Sequence, residues 1–185
     1  MAPIEVYFGT LLLVFALVGW ARGFLRELGV TTVMVLLLFF ISTFEAQLDQ
    51  GMVAALSVGE RFVVTNSQDL FKCWVFVIVI TVGAFISYAG ETLAFEGQPP
   101  QGPQGIWLGI LSGSLNGYLI AGSLWHYMHK FNYPIAWFGF AKDEMSAFAI
   151  ECTNYLPIPF LGQKLFGISI LLYLGMLLII ARVIR

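Results

Sequence analysis

Charge is what this chain has least of: 11% of its 185 residues are Asp, Glu, Lys or Arg, against 59% hydrophobic residues. A soluble domain normally carries about 25% charged residues, so a soluble globular surface is excluded and an integral membrane protein is implied. A formal net charge of -2 provides no basic surface for nucleic acid. The cysteine count is equally restrictive. Cys73 and Cys152 are the only two, too few and too far apart for a zinc site or a disulfide framework, and they make at most one bridge. The chain has no HExxH, no G-x-S-x-G, no P-loop and no dinucleotide fingerprint, and neither cysteine has a base beside it. No enzyme activity and no cofactor are expected.

What is present is apolar sequence in long runs. A transmembrane helix needs about 20 mostly apolar residues, and five segments approach that length, at about 4–21, 28–44, 73–90, 106–128 and 165–181. The expected fold class is therefore an all-α integral membrane protein with about five transmembrane helices and one or two interfacial amphipathic helices. The opening MAPIE lacks the positive stretch of a signal peptide and no cleavage site follows it, so the first run is expected to be retained. The central part of every predicted span lacks Asp, Glu, Lys, Arg and His. Proton-coupled transport and intramembrane catalysis normally need such groups.

The stretch GWARGFLREL, Gly19 to Leu28, interrupts the first long run. An unbroken helix from Tyr7 to Ile41 would run about 52 Å, against a hydrocarbon core of about 30 Å, so the chain must turn. Gly23 can take backbone angles that other residues avoid, and Arg22, Arg26 and Glu27 are costly in hydrocarbon. These four residues are expected to form the topology turn, reaching water or headgroups.

The RGFLREL in this turn, placed between a first and a second span, resembles the signature of the colicin V production protein (CvpA) family of bacterial inner-membrane proteins. LGILSGSLNGYLI, Leu108 to Ile120, is similar to that family's glycine-rich last span in the spacing of Gly109, Gly113, Leu115, Gly117 and Leu119. The resemblance covers roughly residues 4–130, within an expected four-span domain of residues 1–130, and leaves 131–185 as an interfacial loop or helix plus a fifth span. Pro103, Gln104 and Gly105 stand where the family usually has an acid and an arginine, and Asn116 where it commonly has an arginine. The resemblance implies an envelope-associated function without catalytic residues.

Read for itself, the fourth span places Gly105, Gly109, Gly113 and Gly117 on one nearly bare face, the pattern by which helices pack closely in lipid. Ser112, Ser114 and Asn116 add short polar groups expected to bond across to a neighbouring helix. This face is expected to pack within the chain or to dock a partner.

The loops carry amphipathic patterns as well. Leu48, Met52, Leu56 and Val63 recur near helical spacing, with Gln47, Gln50, Glu60 and Arg61 mostly elsewhere. Ala141, Met145, Phe148, Cys152 and Tyr155, opposed by Lys142, Asp143, Ser146, Glu151 and Asn154, predict a helix lying in the interface. Asp143 and Glu144 would suit its first turn, and Pro157 would stop it. FNYPIAWFGF and LPIPF are aromatic and nearly uncharged, suited to headgroups or to a protein partner. Trp20, Trp74, Trp107 and Trp125 fall near predicted span ends, as an aromatic belt requires, and EGQPPQGPQG reads as a turn.

His126 and His129, three residues apart near the end of the fourth span, are the one constellation with ligand chemistry. Neutral imidazole can hold haem iron or a pigment's magnesium, although two histidines among aromatics are more often hydrogen-bonded interface residues. The lysine and arginine tally is near balance between the two sides, so the expected orientation follows the Arg22 and Arg26 turn. Its arginines lie close to both helix ends and the resemblance implies its cytoplasmic placement: the N-terminus then faces outward and the C-terminus inward. Two buried free thiols are the default expectation for Cys73 and Cys152; the alternative is a disulfide, since both would then share an oxidising side where one can persist.

Three functions follow: a CvpA-like non-enzymatic scaffold of the bacterial inner membrane; an accessory subunit of a larger photosynthetic or respiratory electron-transfer complex; or a channel, transporter or cofactor-binding protein. The expected partners are the lipid bilayer and other membrane protein subunits.

Overall fold

The computed structural model describes residues 3–57, 65–90, 95, 97–98, 100, 102–142 and 145–184. Four long helices make up most of it: α1 (Ile4–Arg22), α2 (Phe24–Ser57), α3 (Thr65–Ala89) and α4 (Pro103–Lys130). A 3-10 turn at Ala136–Phe138 and two short helices, α5 (Ala147–Thr153) and α6 (Pro157–Leu161), follow. A two-stranded hairpin, β1 (Lys164–Leu165) and β2 (Ile168–Ser169), then leads into α7 (Ile170–Val183).

Three helical stretches, Ile4–Arg22, Phe24–Ala54 and Gln68–Ala89, are long and apolar enough to cross a membrane. The other two expected spans are not in that set. α4 misses on composition, because its glycines, serines and Asn116 serve packing, and α7 misses on length, with 14 residues.

α4 is the centre of the bundle and packs against α1, α2, α3 and α6. Met34, Leu38, Phe76, Ile80, Leu119 and Tyr127 are among its large buried side chains, and Phe76 stacks on Tyr127 with ring centroids 4.1 Å apart. α7 lies against α2 through Leu171 and Gly175, whose missing side chain leaves room for Leu36.

Several predicted boundaries move. α2 runs 34 residues without a break, so the pattern around Leu48 and Met52 belongs to a continuation of the second span and not to a separate interfacial helix. Glu60, Arg61 and Val63 of that pattern lie outside the described residues. The interfacial helix expected over 141–155 is only α5, which starts where Ser146 Oγ caps the amide of Ala149 at 3.0 Å. Asp143 and Glu144 also lie outside the described residues. Pro157 does not stop α5 but opens α6, since a proline at the first helical position lacks a donor that would be unsatisfied anyway. Residues 164–169 form the hairpin in place of the start of a fifth span, with Phe166 and Gly167 both at positive φ in its two-residue turn.

Candidate functional site

The α1–α2 junction is the sharpest break in the long helices. Gly23 has φ 86° and ψ 158°, a region essentially confined to glycine, and the chain doubles back there between Arg22 and Phe24. The expected turn is therefore in place, but its side chains divide. Arg26 is exposed, whereas Glu27 is 0% exposed. The expectation that Glu27 reaches water or headgroups is overturned, because it continues the stripe of Thr31, Met34, Leu38 and Ile41 that α2 turns into the core.

A carboxyl group so placed must be satisfied by the protein. Tyr88 Oη at the end of α3 donates to Glu27 Oε2 at 3.0 Å, and Asn116 Nδ2 of α4 donates to the same oxygen at 2.8 Å. Asn116 Nδ2 also reaches the Glu27 carbonyl at 3.0 Å. Thr31 Oγ1 lies 2.9 Å from that carbonyl and 2.7 Å from Asn116 Oδ1. Arg22, the last residue of α1, brings its Nε to 3.6 Å from Glu27 Oε1, and its guanidinium lies 4.6 Å from the centroid of the Tyr88 ring. Oε1 has no hydrogen-bond partner among the described residues. Each of the four long helices thus contributes to one clasp: Arg22, Glu27 with Thr31, Tyr88 and Asn116. Glu27 also sits in the first turn of α2, where the helix dipole favours negative charge.

A closely packed seam adjoins the clasp. A Cβ at Gly109 would lie 2.7 Å from the Gly19 carbonyl oxygen, one at Gly113 would lie 2.8 Å from Gly19 Cα, and one at Gly117 would lie 2.8 Å from Phe15 Cβ. The bare face of α4 is therefore used by α1 of the same chain. Gly105 does not join it and abuts the backbone of Pro100 instead. Ser112 and Ser114 do not bond across helices either: they donate to Leu108 and Ile110 of their own helix, at 2.8 and 2.9 Å. Of the three polar groups, Asn116 alone crosses.

The opposite end of the bundle carries a layer of ion pairs. Lys130 of α4 contacts Glu45 at 2.7 Å and Asp49 at 3.6 Å, both on α2, and Lys72 of α3 lies 3.8 Å from Asp49. His126 meets the Tyr127 ring edge-on, and His129 Nδ1 lies 3.3 Å from Tyr133 Oη. Among the described residues no group of three His, Cys, Asp or Glu side chains is placed to hold a metal. Trp125 is not a belt residue, since it is 2% exposed and donates to Tyr133 Oη at 2.9 Å.

The two thiols are free and belong to different apolar clusters. Cys73 is fully buried between α3 and α4, and Cys152 packs at the edge of the Trp125 and Tyr133 cluster, so the bridge is not formed. Partial burial, with Glu151 and Glu5 nearby, holds the Cys152 thiol above its ordinary pKa.

No protein-family model, curated protein or solved structure matches the chain.

Proposed function

We propose that the chain is a non-enzymatic, multi-pass protein of the bacterial inner membrane, of CvpA-like type, acting as a scaffold through helix–helix packing. The observation that carries this reading is the clasp at Glu27. Its groups come from four helices and bind mostly one another, with Glu27 Oε1 met only by Arg22, an arrangement that serves rigidity and keeps the carboxyl group buried inside the bundle.

The two polar layers also fit one bilayer. Glu27 and Glu45 are 18 residues apart on α2, about 27 Å along the helix, close to a hydrocarbon core of about 30 Å. Lys72 to Ala89 on α3 gives about 26 Å. In this placement α4 crosses as an interior helix screened by its neighbours. α7 crosses beside α2 as a short fifth span, a mismatch that a membrane accommodates by local thinning. The Arg22 and Arg26 turn and the C-terminus then share the cytoplasmic side.

A tagged chain extracted in mild detergent tests the reading by mass and absorbance. A colourless protein retaining defined protein partners is expected. A stoichiometric chromophore, or solute flux from vesicles holding the pure chain, would contradict it.

The second reading, an accessory subunit of a larger electron-transfer complex, is favoured by the end of the bundle near Lys130. Trp137 is 79% exposed, Phe148 65%, Tyr155 60% and Phe166 92%, all on the segment between α4 and α7. Co-purification with a redox complex would select it over a free-standing scaffold.

A further inference from the structure

α1 and α3 both lie against α4, and between them the bundle leaves a cavity of about 380 Å³. Ala121 and Trp125 form its floor, Leu11 of α1 and Val77 of α3 its walls, and Trp137 and Phe138 its roof. Val77 lies five residues inward from Lys72, about 8 Å below the ion-pair layer. In the bilayer placement proposed above, on which this inference rests, the cavity therefore sits within the hydrocarbon. Its Leu11 wall is exposed, so it opens sideways, and Trp137 and Phe138 border it toward the Lys130 end.

Water does not suit this space. A buried water needs two to four polar partners, the lining is overwhelmingly apolar, and Trp125 Nε1 is already committed to Tyr133. An empty space forfeits the dispersion contacts of its walls. The volume lies within the range of about 300–1,000 Å³ usual for ligand sites. At that depth the surrounding solvent is hydrocarbon chain. Lys142, two residues beyond Phe140, which also lines the cavity, is exposed with its Nζ 3.5 Å from Asn132 Oδ1, just past the Lys130 ion-pair layer, and so carries a cation at the headgroup level of the proposed placement. That charge matches a phosphodiester and has no counterpart in an uncharged isoprenoid quinone. We propose that the cavity binds one acyl chain of a glycerophospholipid, entering between α1 and α3, with its headgroup at the level of Trp137 and Lys142.

Tryptophan quenching tests this directly. Two variants each keep one tryptophan, with phenylalanine at the other four positions: Trp125, 2% exposed on the cavity floor, or Trp20, 57% exposed on the outer face of α1. Each is reconstituted in phosphatidylcholine vesicles with or without bromine along the acyl chains. Quenching of both is expected, and Ala121→Phe, which fills the floor, should abolish it for Trp125 only. Quenching of Trp20 without Trp125 overturns the site and leaves the bilayer placement standing. Quenching of neither removes the placement and the site together, and Trp125 quenching that persists in Ala121→Phe also overturns the site. Should Ala121→Phe fail to fold, native mass spectrometry of the unaltered chain decides: one retained phospholipid supports the site, whereas a retained quinone or no lipid overturns it.

Discussion

Glu27 shows how a single side chain changes the meaning of its surroundings. In the sequence it belongs to a charged turn, beside two arginines and a glycine, and a turn explains all four residues. The signal that separates it is periodicity: Glu27, Thr31, Met34, Leu38 and Ile41 form one stripe, and every one of them is buried. Asn116 was legible as a polar group on a packing helix, but its partner lay 89 residues away and could not be read from spacing. Removing one member of a buried charged set typically costs about 3–5 kcal/mol, because the others are left uncompensated. Glu27→Ala is therefore expected to destabilise the bundle by about that much in a detergent unfolding titration, whereas Thr31→Val should cost only about 0.6–1 kcal/mol, like an average interhelical hydrogen bond. Equal, small effects would mean that the clasp does not hold the helices.

The cysteines give a second test at this scale. Two alkyl groups are expected on the denatured, non-reduced chain. In the native protein Cys73 should stay protected and Cys152 should react, slowly near neutral pH and faster as pH rises. The cause is burial and the Glu151 and Glu5 carboxylates, which hold its thiol above the ordinary range and make thiolate scarce. Fast labelling of Cys152 at neutral pH would contradict this environment.

Among the elements, the pairing of α1 with α4 is the most demanding, since Gly19 faces Gly109 and Gly113 at backbone contact distance. Gly113→Leu has no flexible neighbour to displace, so the helices must separate, and a loss at or beyond the usual overpacking range of about 1–3 kcal/mol is expected. Gly9→Leu, on the same α1 but with nothing within 4 Å, is the control that should be tolerated. Comparing accumulation and detergent unfolding of the two variants checks this, and equal behaviour would remove the seam.

The glycine spacing announced this packing face in the sequence, although not which helix would cover it. The extent of α2 was harder to read. Glu45 and Asp49 look like the end of a span, but α2 continues past them, because Lys130 and Lys72 neutralise them against its side. Pro157 is ambiguous in sequence because a proline can end one helix or begin the next; α5 ends at Thr153, so Pro157 opens α6.

At the scale of the whole molecule, long apolar helices are legible from composition alone, and three of them meet the length and hydropathy that crossing requires. The proposed fourth and fifth crossings are less visible, for opposite reasons. α4 gives up hydropathy to glycine and hydroxyl groups because it touches protein on most sides, and α7 keeps its hydropathy but has only 14 residues. The scaffold reading depends on both helices crossing, since together they place the Arg22 turn and the C-terminus on one side and the aromatic segment around Trp137 on the other. Three exposed positions report on this: Gly97 between α3 and α4, Asn132 after α4, and Ile184 after α7. In a chain whose own cysteines are replaced by alanine, Gly97→Cys, Asn132→Cys and Ile184→Cys are treated one at a time with a membrane-impermeant maleimide, first on intact cells and then on opened ones. Five crossings with the Arg22 turn cytoplasmic require Asn132→Cys to label from outside and the other two only after opening, whereas labelling of Asn132→Cys and Ile184→Cys from the same side would contradict the five-crossing scaffold.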